Sequence, residues 1–140
     1  EYSQAHFTLG VMQERLGKSS KAIASHEKAI QFDPNNFWAI NRLARSFLLS
    51  KDPKVRNIGK ALEFAEKACT ISHYREPALL EILGGAYSES GRMDEALKAA
   101  DSSLKIARKS GRDNDAVRIE KEIALYKQGK PISQLEIPVP

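Results

Sequence analysis

Asn41, Arg42 and Arg45 place one carboxamide and two guanidiniums within five residues. On a helix, Asn41 and Arg45 stand one turn apart on one face, with Arg42 beside them. A carboxamide can pair with the backbone of an extended peptide, and a guanidinium can hold a carboxylate through two parallel N–H···O bonds. Trp38 and Phe7 offer apolar anchoring of the kind aromatic rings supply at binding surfaces. This is the chemistry of holding another chain.

The residues that usually carry catalysis are present without the spacing it needs. His6, His26 and His73 are scattered, with no ligand spacing such as His-x3-His, and are read as core-edge or surface residues. Cys69 has no second cysteine, which excludes an internal disulfide and a cysteine metal cluster; beside Ala61, Ala65 and Ala68 it reads as a buried small apolar residue. Gly84-Gly85 lacks the third glycine of a phosphate loop, and no serine stands in a G-x-S-x-G context. Asp94-Glu95 and the Glu120/Glu122 pair fall at helical places expected to be exposed, where carboxylates are ordinary. A non-enzymatic chain with no cofactor and no metal is the expectation.

The elements that position these residues are repeated. Leu9-Gly10, Leu43-Ala44 and Leu83-Gly84 open three windows; the first two begin 34 residues apart. In the first, Gln13, Gly17, Ala22, Ala29 and Pro34 follow, and in the third, Tyr87, Gly91, Ala96 and Ser103 keep the same intervals. The middle window continues with Phe47, Ala61 and Ala68, so an insertion of five residues lies inside it, near 51–58, with one more residue after it.

A period near 34 with a Leu-Gly pair, a later Ala and a closing Pro resembles the tetratricopeptide repeat family over roughly residues 3–110. Departures are visible: His6, Ile40 and Leu80 stand in the family's Trp place, Gln13 replaces the first Tyr, and Arg108 stands where a Pro would close the third repeat. The resemblance implies an all-α, right-handed α-solenoid of three helix pairs, in repeats of about 3–36, 37–76 and 77–110. A capping helix at 113–128 completes a single domain of residues 1–131. Glycine inside a helix costs about 1 kcal/mol against alanine, so Gly10 and Gly84 are expected where a neighbouring helix approaches closely.

Apolar periodicity and turn chemistry predict helices at 2–16, 20–32, 37–50, 59–72, 77–90, 93–110 and 113–128. In the last, Ala116, Ile119, Ile123 and Tyr126 make an apolar stripe while Arg118, Glu120, Lys121 and Glu122 are polar. Gly129-Lys130-Pro131 stops it, and residues 132–140 read as an extended tail.

The formal net charge is +4, and the stretch from Arg42 to Lys60 holds six basic residues against Asp52 alone. Such a patch favours acidic protein segments. Aromatic residues are not interleaved with it as single-stranded nucleic acid would require, so no nucleic-acid partner is expected. No run approaches the roughly 20 apolar residues of a membrane span, so no membrane insertion is expected in this segment. A chain beginning at Glu1 is expected to come from a larger protein. The insertion and the ending Leu125-Tyr126-Lys127-Gln128-Gly129-Lys130-Pro131 resemble a bacterial subgroup of tetratricopeptide proteins whose repeats form C-terminal parts of larger proteins. The default compartment is the cytoplasm, with the extracytoplasmic face of a membrane-anchored parent as the alternative.

By the same resemblance, the partner-binding residues are Phe7, Val11 and Arg15 on the first helix, Trp38, Asn41, Arg42 and Arg45 on the third, and Glu81 on the fifth. The alternative role for Asn41, Arg42 and Arg45 is to solvate the groove or to bridge to Glu14 and Glu81 within the chain. The pattern that clamps an acidic chaperone terminus needs Lys and Asn where this chain has Phe7, Val11, Arg42, Ala78 and Ile82, so that clamp is absent. The function implied is a scaffold that holds a peptide or protein segment in its concave groove. The alternative is an accessory domain of a larger, membrane-anchored bacterial enzyme such as a glycosyltransferase, packing within its parent or mediating self-association as a homo-oligomer.

Overall fold

The computed structural model describes residues 1–135 and contains seven α-helices and no strand among them. The helices are α1 (Tyr2–Arg15), α2 (Ser19–Phe32), α3 (Phe37–Leu49), α4 (Ile58–Ile71), α5 (Pro77–Glu89), α6 (Met93–Lys109) and α7 (Asp113–Lys127). Each lies within one residue of the range its periodicity predicts. Local chemistry sets the boundaries: the side chains of Asn36 and Asn57 accept from Ala39 N and Lys60 N and so cap α3 and α4, and Pro77 opens α5.

The turn after the first helix of a repeat recurs. Gly17 and Gly91 sit at φ +69° and +75°, a left-handed conformation glycine enters without a Cβ penalty. Gly17 N donates to Glu14 O and Lys18 N to Gln13 O; Gly91 N donates to Ser88 O and Arg92 N to Tyr87 O. Both are the same paired C-terminal cap. The middle repeat has no glycine there. Its insertion closes instead around Asp52, whose carbonyl accepts from Val55 N and Arg56 N and whose carboxylate accepts from Lys54 N. Asn57 N then returns to Phe47 O, which restores the helical register.

Chain contacts divide the molecule into residues 1–73 and 74–140. In the first unit α1 pairs with α2 and α3 with α4, and α2 packs on α3. Gly10 faces the imidazole of His26, to which an added Cβ would come within 2.4 Å. His26 is completely buried, so it is a core residue and the core-edge or surface assignment is corrected; the missing Gly10 side chain makes room for its ring. Gln13, in a tyrosine place, accepts a hydrogen bond from Ser25 Oγ at 2.7 Å. Between α3 and α4 the close approach is made by Ala44, Ala61, Ala65, Ala68 and Cys69, all fully buried. Burial pushes the Cys69 thiol up to about 12, and the Glu66 charge adds to the shift.

In the second unit α5 pairs with α6 and α6 with α7. A Cβ on Gly84 would sit 3.3 Å from the Ala96 carbonyl and 3.7 Å from Ala100 N, so here the glycine admits a backbone. The stripe predicted on α7 is buried as Ala116, Ile119, Ile123 and Tyr126, and with Ala96, Ala100 and Ala107 it forms the core of this unit. Glu122 is buried too, 4% exposed, which corrects its placement at an exposed position. Its steps of three from Ile119 and four to Tyr126 put it inside the stripe. The extended tail is corrected at its start: Ile132–Gln134 form one turn of 3-10 helix, because Ile132 N donates to Ser88 Oγ and Ser133 N to Glu89 Oε1. Residues 136–140 lie outside the described residues.

Replacing Gly10 with Ala gains helix propensity yet drives a methyl into an immobile ring. Overpacking of this kind costs about 1–3 kcal/mol. The expected outcome is lower stability for Gly10→Ala in urea unfolding, largely relieved when His26→Ala is added, so that the double-mutant cycle shows strong coupling.

Candidate functional site

The candidate face of the first unit is built by α1 and α3. Phe7 is half-buried with its ring 5.7 Å from that of His26, so it is fixed by the core; Val11 beside it on α1 is also half-buried. Arg15 is exposed. On α3, Trp38 is 40% exposed and tilts against Phe37 at 5.4 Å.

Arg42 is held by α1. Its Nη1 donates to Glu14 Oε2 at 3.0 Å, while the other oxygen of Glu14 lies 3.0 Å from His26 Nε2. One carboxylate therefore ties α1, α2 and α3 together. Burial would raise the Glu14 carboxyl, but the His26 hydrogen bond and the charges of Arg42, His26 and Arg45 outweigh it and hold it below its ordinary value. The bridge to Glu14 weighed from the sequence is thus present, and it leaves Arg42 partly exposed in a fixed position.

Asn41 and Arg45 differ from it. Asn41 is 7% exposed, and its Oδ1 is buried without a hydrogen-bond partner. Leaving such an atom unmatched costs about 1–3 kcal/mol. Arg45, one turn on, is exposed and close enough to Glu14 to act on it electrostatically. The face presents Arg15, Arg42 and Arg45 against the single carboxylate of Glu14.

Glu81 belongs to the second unit and is already engaged. Arg118 donates to it through Nε at 2.6 Å and Nη2 at 2.8 Å, a bidentate pair. The buried Glu122 carboxyl lies against the same glutamate; burial first, then the hydrogen bond and charge of Glu81, push it far above the usual carboxylate range despite Arg118. Tyr126 OH and Glu122 Oε2 are buried without partners at the same place. The sequence reading missed this cluster, although Arg118, Glu122 and Tyr126 recur at steps of four on α7. Among the described residues no group of three or more His, Cys, Asp or Glu could hold a metal, and no helix is long and apolar enough to cross a membrane.

Successive helix pairs that nest small residues against large ones in a recurring register define a helical-repeat protein. The family model of the tetratricopeptide repeat matches residues 3–36, which span the α1–α2 pair. Repeats of this family are generally modules of protein interaction. Comparison with curated proteins gives no match.

Because Glu122 is neutral in the folded chain and ionises freely when unfolded, its contribution to stability is present below its unfolded value of 4.5 and is lost as pH rises. Glu122→Gln, which keeps the shape without the titration, is expected to raise the melting temperature more at roughly pH 8 than at roughly pH 5. Thermal scans at the two pH values check this.

Proposed function

We propose that the chain is a non-enzymatic scaffold whose α1/α3 face holds an extended, acidic segment of a partner protein. The observation that carries the reading is the exposed guanidinium of Arg45 beside the partly exposed Arg42, which Glu14 holds in place. An extended strand laid along α3 would set an acidic side chain against Arg45, with Arg15 and Arg42 supplying further positive charge. Trp38 borders the same helix face and offers an apolar surface to a neighbouring side chain of the partner. Arg42, locked by Glu14, would orient the ligand at little entropic cost.

The test is calorimetric titration with synthetic acidic peptides of about ten residues, long enough in extended form to pass along one helix. Arg45→Glu is expected to weaken binding by more than tenfold, a loss above about 1.4 kcal/mol, and Arg42→Ala by several-fold. Wild-type affinity should fall steadily with added salt. Peptides that bind Arg45→Glu as tightly as the unmodified chain would remove the α3 face from consideration.

A further inference from the structure

The outward side of α1 is apolar in a register that the described residues leave exposed, with Tyr2 alone of the seam meeting another ring, that of Phe32 at 5.3 Å. Tyr2, Ala5, Leu9, Met12 and Leu16 follow one another at steps of three, four, three and four, the seam spacing of paired helices. All five are exposed, Tyr2 by 70%, Met12 by 55% and Leu16 by 67%. One repeat later the equivalent residues Ala39 and Leu43 are 0% and 2% exposed, in a helix on which α2 packs. The inward side of α1 is committed to α2 through Ser3, Gly10 and Gln13.

What flanks the seam says what fits it. Glu1, Thr8 and Arg15 run along one edge at seven-residue intervals, and all three are exposed. Two copies of α1 laid antiparallel set Tyr2 against Met12 of the second copy and Ala5 against its Leu9, so the small Ala5 meets a large partner in the two central layers. The same register brings Glu1 opposite Arg15 at both ends and Thr8 opposite Thr8 at the two-fold axis. A parallel pairing would instead stack Ala5 on Ala5 and leave Glu1 and Arg15 without opposite charges. We propose that α1 is a self-association surface through which two copies of this chain pair antiparallel along the Tyr2, Ala5, Leu9 and Met12 seam, fastened by reciprocal Glu1–Arg15 ion pairs. This surface shares only Arg15 with the α1/α3 face and takes nothing from α3, so Arg45→Glu leaves pairing unchanged.

Sedimentation equilibrium of the whole chain at roughly 100 µM, a concentration that detects micromolar association, is expected to give twice the monomer mass. Leu9→Glu returns it to the monomer with unchanged circular dichroism. Arg15→Glu weakens the dimer about tenfold, and adding Glu1→Arg restores it, a rescue that general apolar stickiness does not produce. Thr8→Cys closes a disulfide-linked dimer under oxidation whereas Lys28→Cys on α2 does not, and the buried Cys69 stays silent in both. A monomer throughout overturns the pairing and assigns the seam to a helix of different sequence. A dimer indifferent to Leu9→Glu, or one cross-linked equally at position 28, overturns it as well.

Discussion

Each helix pair rests on the same constraint: two helices come close only where one of them gives up side-chain volume. In α1 the concession is Gly10, and a histidine ring fills the notch. In α5 it is Gly84, and the backbone of α6 itself moves in, with Ala96 and Ala100 lining the approach. Between α3 and α4 no glycine is needed because alanines face one another from Ala44 to Ala68. Three different local solutions serve one spacing, which is why the repeat survives the loss of several signature residues.

A second regularity is electrostatic. In one unit Glu14 of α1 is held by Arg42 of α3, and in the other Glu81 of α5 is held by Arg118 of α7. Both bonds run from the first helix of a pair to the helix that follows the pair. Exposed ion pairs contribute little to stability, but these have partly buried acceptors and a further partner each, His26 or Glu122. Their effect is orientation: they fix where the remaining charges, Arg45 above all, can point.

Most of the fold was legible in the chain because small residues and turn glycines leave a periodic trace. Helix ends are set by Asn36, Asn57, Pro77 and the glycines, whose roles are local. The site was legible only in part. The step of four put Asn41 and Arg45 on one face, yet Asn41 is buried while Arg45 is exposed, and the engagement of Arg42 and Glu81 depended on acids and bases many residues away, which no short-range spacing encodes. The burial of His26 and Glu122 escaped for a related reason: polar letters suggest solvent, and only the volume opposite them decides otherwise. Ile132–Gln134 curl because α5 offers Ser88 and Glu89 as acceptors, a long-range circumstance invisible in a segment rich in proline.

The Asp52-centred turn satisfies its own backbone and hands the chain back at Phe47. It is therefore an outpouching outside the helices, and it carries Lys51 and Lys54. Electric potential beside the middle pair can be retuned there, residue by residue, while the hydrocarbon interior stays as it is.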